Sequence, residues 1–252
     1  MDFQTLVDTD AVGIKIEHDE AVMMLGSCFA EDVGNLLKRS MLTLCINPFG
    51  TLYNPRSIAQ SLRRLMADMP FSADELVAYG NLWHSMSHHS RFSSVDKDRA
   101  LQKINAAYAE GVACLRSARH LIVTFGTAYA FSTADGETVA NCHKMPASMF
   151  NRRMLSANEI AGEWVRLIDD IRKFNPHIDI TFTVSPVRHL ADGAHGNQLS
   201  KSTLLLAADS IMAQRPGVCH YFPSYEIMLD QLRDSFSSMH VPITPIIVRS
   251  PV

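Results

Sequence analysis

Ser27 stands where a small hydroxyl can act as a nucleophile. The apolar run 21–25 reads as a buried strand, Gly26 ends it, and Glu31 and Asp32 open a helix-like pattern at once. A strand that turns so sharply into a helix presents one small side chain at the sheet edge. It also aims the helix's unpaired N–H groups at the same spot. A serine used in this way needs a base, a group that orients the base, and donors for an oxyanion. Base candidates are His189, His195, His143 and the histidines of 84–89. Asp192-x-x-His195 has the spacing for a loop carboxylate and imidazole to face one cleft, giving Ser27, His195 and Asp192 as a candidate catalytic set. The same Asp192 and Gly193 also read as an Asx-type turn beside an exposed His195, and both readings stay open. Oxyanion donors would be the backbone N–H groups of Ser27 and Gly50, with Asn141 or Asn197 as a side-chain amide. A glycine that ends a strand, as Gly50 does, is equally a plain turn residue.

Other polar residues invite other chemistry. His84-x-x-x-His88-His89 has the spacing of metal ligands on a helix. The surrounding stretch lacks helical periodicity, however, and has no carboxylate or Cys at ligand spacing, so neither a metal nor a cofactor is expected. His84, His88, His89 and His143 are expected instead to touch substrate, the first three from a long loop or lid over 70–95. Arg188, His189, Asn197 and Lys201 are further substrate-contact candidates, although Arg188 could simply pair with Asp192. Lys201 lies just inside an expected helix N-terminus, where a cation opposes the helix dipole; that local cost hints at a partner in the cleft. Cys28, beside a helix start, would have its thiolate favoured, against which stands the plainer role of a buried spacer.

The elements that must carry these residues are those of one domain, 1–252, with its core over about 21–234. The chain has 252 residues, 47% hydrophobic and 19% charged, with a net charge of -3. That is ordinary for a globular domain able to bury a large core. There is no basic block or nucleic-acid motif, so no nucleic-acid partner is expected. Five cysteines without a CxxC fit reduced thiols. The N-terminal MDFQTLVDTDAVGIKI lacks a basic, then apolar, leader pattern, and no run reaches the ~18 apolar residues of a membrane span. The expectation is a cytoplasmic protein without a membrane partner; nothing in the pattern fixes an oligomeric state.

Further strands are expected at 41–46, 120–125, 178–184 and 218–222. Helices are expected at 31–39, 55–66, 96–117, 156–174 and 200–213. Pro55 at a helix start and Ser156 with Glu159 as a capping box mark two of them. A hairpin is expected over 129–141. Apolar strands alternating with helices imply a parallel sheet covered on both faces, with ligands beyond the carboxyl ends of the strands. Gly26-Ser27, 47–50, Gly126 and 188–197 all fall at those ends.

These residues resemble the GSCFA family, which takes its name from Gly26-Ser27-Cys28-Phe29-Ala30. Similar stretches are Asn47-Pro48-Phe49-Gly50, Trp83-His84-Ser85, His88-His89-Ser90-Arg91-Phe92, Phe125-Gly126-Thr127-Ala128, Asn141-Cys142-His143-Lys144, Ser185-Pro186-Val187-Arg188-His189 and the run from Asp192 to Lys201. Such proteins are grouped with SGNH/GDSL-type hydrolases. The resemblance implies a three-layer, flavodoxin-like α/β fold carrying a serine esterase site. Ser27 would then be the nucleophile and Gly50 the oxyanion glycine, acting on a small-molecule or saccharide ester. The family's usual Gly-x-Asn reads Gly126-Thr127-Ala128 here, so Asn141 substitutes for the missing amide. The family's closing Asp-x-x-His segment has no counterpart in 235–252, where no Asp stands three residues before His240. A truncated or frameshifted relative is the expectation for that tail, and a ligand-binding protein without catalysis is the alternative function.

Overall fold

A computed structural model describes residues 5–9, 14–40 and 42–232. The chain runs β1 (Ala21–Gly26), α1 (Cys28–Lys38), β2 (Thr43–Ile46), α2 (Pro55–Met66), β3 (Leu76–Tyr79), β4 (Leu82–Ser85), α3 (Lys97–Ser117), β5 (His120–Phe125), β6 (Tyr129–Ser132), β7 (Thr138–Val139), β8 (Asn151–Met154), α4 (Ala157–Phe174), β9 (Asp179–Val184), α5 (Gly193–Gln214) and β10 (Cys219–Tyr221). The apolar runs pair as a parallel sheet in the order β10-β9-β5-β1-β2. This is the flavodoxin-like order, and the direction of winding reverses between β1 and β5. The crevice beyond the carboxyl ends of those two strands is where such sheets take ligands. Ser27 follows β1 and Gly126 follows β5.

Period-two alternation sorts the strand residues into two cores. Met23 and Leu25 of β1 point into the larger one, with Leu121, Val123 and Phe125 of β5, Ile180 and Phe182 of β9, and apolar faces of α2 to α5. Val22 and Met24 point the other way, against Val33 and Leu37 of α1. Helices thus cover both faces, as the alternating pattern implies. Trp164 of α4 anchors the larger core, packed edge-on to Phe125 and Phe182.

Local signals set several boundaries as expected. Asn54 caps α2 through the Ser57 N–H at 2.9 Å, ahead of Pro55, and the Ser156/Glu159 capping box opens α4. Three places differ. α1 begins at Cys28 rather than 31, with Ser27 as its N-cap. α5 begins at Gly193 rather than 200. Its buried face is Asn197, Ser200, Lys201, Leu204, Ala208 and Ile211; three polar residues at the start of that face dilute the hydrophobic period. The stretch 70–95 is not a loose lid. It holds the antiparallel pair β3/β4, with Tyr79 opposite Leu82 and Gly80 in the turn at φ 58. The expected hairpin pairs Phe131 with Val139, and β8, whose residues are all exposed, joins its other edge. The tail 235–252, including His240, lies outside the described residues.

Candidate active site

Gly26 has φ +139, and a Cβ on it would lie 2.1 Å from the Thr124 carbonyl oxygen of β5. Only glycine can make that approach. The chain then turns, and Ser27 caps α1 with its backbone: its carbonyl accepts the Ala30 N–H at 2.9 Å and the Glu31 N–H at 3.4 Å. Its side chain caps nothing, unlike most N-cap serines. The residue is 1% exposed, and its Oγ has no hydrogen-bond partner among the described residues. A buried, unpaired hydroxyl costs folding free energy. It does so here at a strand–helix turn on the switch point of the sheet.

A second orphan lies next to it. Asn47, at the end of β2, is fully buried with φ +47, a conformation asparagine tolerates better than most residues. Its Oδ1 accepts the Gly26 N–H at 2.8 Å. Its backbone N–H donates to Met24 O at 2.9 Å, and its carbonyl accepts Gly50 N–H at 2.7 Å and the Arg91 guanidinium at 2.6 Å. Arg91 is braced by Glu31 of α1 at 2.8 Å. The residue is thus fixed at every polar atom except Nδ2, which is buried without a partner. Sequence alone makes Asn47-Pro48 a turn; its one further signal was an asparagine, tolerant of positive φ, at a strand end.

The third wall comes from β5, β9 and α5. Gly126 donates to Tyr53 O at 2.8 Å, and a Cβ on it would lie 3.3 Å from the Ser27 Cβ. Lys201 is fully buried; its Nζ donates to Gly126 O and Ser185 O, each at 2.6 Å. Those carbonyls follow β5 and β9. Burial lowers the Lys201 pKa to about 7, with Cys28 pulling the other way. Burial also lowers His189, helped by Lys201 and opposed by Asp192. The His189 ring meets Tyr53 edge-on at 5.6 Å between centroids. The Cys28 thiol is pushed up by burial and then by Asp32, so the expected favouring of its thiolate is outweighed.

Several expected site residues are placed elsewhere. Asp192 and His195 form no pair: the Asp192 carboxylate is bound by Arg152, whose guanidinium lies 3.8 Å over the Tyr129 ring. His195 stands exposed on the first turn of α5, and its ring makes no hydrogen bond among the described residues. Gly50 spends its N–H on Asn47, and its Cα faces His89. The Ser27 N–H donates to Thr124 O at 3.3 Å. Asn141 turns its Oδ1 onto the His143 N–H at 2.8 Å, beside the hairpin rather than Ser27. Asn197 Oδ1 accepts the His189 N–H at 3.0 Å, holding the 185–193 loop. Arg188 is exposed, and Asp192 pairs with Arg152 instead.

His84, His88 and His143 are buried. His88 stacks on Phe49 at 4.7 Å, touches Phe71 and Phe92, and bonds Ser85 Oγ at 2.8 Å. Burial pushes its pKa down to about 3. His143 bonds Ser85 O at 2.8 Å and lies against His84, and burial lowers it to about 4. His84 bonds Ser93 Oγ at 2.7 Å. His89 is half-buried and accepts the Arg91 N–H at 3.3 Å. Spacing alone could not separate an inward ring from a ligand-facing one.

A cleft between α2 and α4, about 460 Å³, is lined by Arg56, Arg63, Glu159, Glu163 and Arg166. Arg56 and Arg63 both pair with Glu163 there, Arg63 at 2.7 Å, and the cleft shares no residue with the Ser27 site.

No curated protein matches the chain. Among solved structures, an acetyl xylan esterase (Est2A) from the rumen bacterium Butyrivibrio proteoclasticus is similar at 10% identity and a TM-score of 0.33. The match covers 83% of this chain and 56% of that one, so the chain spans little more than half of that structure's length. The family model of the GSCFA proteins matches residues 21–240. That span takes in Gly26-Ser27, the Asn47 turn, Gly126 and Lys201 together, and the chain belongs to the GSCFA family.

Proposed function

We propose that this protein is a serine ester hydrolase of SGNH type, in which Ser27 Oγ attacks the carbonyl of a small-molecule or saccharide ester. The supporting observation is the buried Ser27 hydroxyl with no partner, held at the sheet's switch point by a glycine that no other residue can replace. Attack forms the Oγ–C bond and turns the ester carbonyl into an oxyanion. Asn47 Nδ2, the neighbouring orphan donor, is the side chain we assign to that charge. It replaces the expected Gly50 N–H and Asn141 amide, whose nearby polar groups serve internal turns. Collapse breaks the ester C–O bond and leaves an acyl-serine that water hydrolyses.

A fluorophosphonate probe tests this directly. Folded wild-type protein is expected to be labelled on Ser27, Ser27→Ala is expected not to be, and p-nitrophenyl acetate turnover should follow the same pattern. Wild-type protein that folds but is neither labelled nor active refutes the hydrolase. A second reading, an SGNH-like protein that binds its ligand without turnover, draws on the separation of Asp192 from His195. Ligand binding without labelling would favour it.

A further inference from the structure

Building on the ester-hydrolase reading of Ser27, we propose that Lys201 is the proton acceptor for Ser27, its amine taking the Oγ proton as the ester is attacked. Three observations lead there. Ser27 and Lys201 both meet one residue: Gly126 abuts the serine, with a built Cβ 3.3 Å from Ser27 Cβ, and its carbonyl holds Lys201 Nζ at 2.6 Å. Lys201 is fully buried, yet no carboxylate pairs with it among the described residues. Its two acceptors are both backbone carbonyls, Gly126 O and Ser185 O.

Those two carbonyl acceptors decide what a deprotonated lysine would do there. An ammonium has three N–H donors; a neutral amine has two and a lone pair. Two carbonyls use two donors, so loss of the third proton breaks neither hydrogen bond and leaves a lone pair in the remaining tetrahedral direction. The amine is oriented by the ends of β5 and β9 and becomes an acceptor at no structural cost. Burial supplies the drive, lowering Lys201 to about 7. The titratable groups that face it are Cys28 of α1 and His189 of the loop after β9. Behind His189 stand Asp192 and Arg152, already paired. A base matched to neutral pH is the one that transfers protons most effectively.

In the resting structure Oγ has no partner, so the transfer uses a rotation of the Ser27 side chain or one intervening water, as is common before substrate binds. The step balances. The Oγ–H bond breaks, its proton joins the Lys201 amine, and Oγ bonds the carbonyl carbon. The resulting ammonium then returns that proton to the departing alkoxide, and water deacylates the serine with the same amine as acceptor. Among the described residues, His189 is the competing base.

The test is the rate of fluorophosphonate labelling of Ser27 between pH 5.5 and 9 in the wild type, Lys201→Arg and His189→Gln. Lys201→Arg keeps a cation and its donors but cannot accept a proton. It is expected to lower the rate about 10²–10⁴-fold, the usual worth of general-base help. His189→Gln, whatever its absolute rate, is expected to keep a single rise near neutrality. Labelling of Lys201→Arg at the wild-type rate overturns Lys201 as the base while leaving Ser27 as nucleophile. If Lys201→Arg does not fold, the His189→Gln profile decides: a lost neutral rise assigns the base to His189 and overturns Lys201, and a retained rise supports Lys201. No labelling of wild-type Ser27 refutes the hydrolase and this role together.

Discussion

Replacing Lys201 with Met should change how stability depends on pH, in a direction fixed by burial. In the unfolded chain the lysine titrates at 10.5; in the fold it titrates at about 7. Below pH 7 both states carry the proton and the lysine contributes no slope. Between 7 and 10.5 the unfolded state holds more protons, so unfolding free energy rises with pH, by at most about 1.4 kcal/mol per unit. Integrated from pH 6 to 9, the gain is roughly 2–3 kcal/mol. Other groups titrate in that window: Tyr53 and Cys28 are pushed up by burial and slope the opposite way. The difference between wild type and Lys201→Met therefore isolates the lysine. Urea unfolding at half-unit pH steps, with shared m-values, should show the wild type gaining on the variant by that amount. Parallel curves for the two proteins would refute the placement of a depressed lysine under the Ser27 turn.

Gly26→Ala should cost about 3 kcal/mol or more, because a methyl 2.1 Å from Thr124 O forces the backbone out of a strained region; a shift in urea midpoint measures it. Asn47→Gly keeps the positive φ but leaves the Gly26 N–H unpaired, at about 1–3 kcal/mol. Loss of an oxyanion donor should lower turnover about 10²–10³-fold, with p-nitrophenyl acetate as the assay; unchanged turnover removes Asn47 from that role. On the acid side, His88 titrates at about 3 and His143 at about 4, both below the ordinary 6.5. The unfolded chain thus takes up protons first, and stability falls as pH drops from about 6.5 to 4. His88→Phe should flatten that fall by up to about 1.4 kcal/mol per pH unit, measured by thermal unfolding across the range.

Much of the sheet was legible because its strands are short apolar runs ended by Gly or Pro, and alternation along them carries both faces. The start of α5 was not. Asn197, Ser200 and Lys201 share its buried face, and a hydrophobic period cannot register polar residues that are buried to bond the chain beyond β5 and β9. The hairpin histidines failed for a related reason. His84 and His88 have ligand-like spacing and His143 was a substrate-contact candidate, but their rings are spent on Ser93, Phe49 and Ser85.

By itself the sequence determined the parallel α/β architecture, the Gly26-Ser27 turn as its focus and the family, because these depend on local pattern and on residue types at fixed spacing. Tertiary structure alone decided which groups meet that turn. It paired Asp192 with Arg152 and left His195 outside. It set Asn47 and Lys201, from opposite sides of β1, against Gly26 and Gly126. The physical reason is that a side chain's partners follow from strand order and helix register between residues 21 to 75 positions apart, whereas its turn or strand follows from its immediate neighbours.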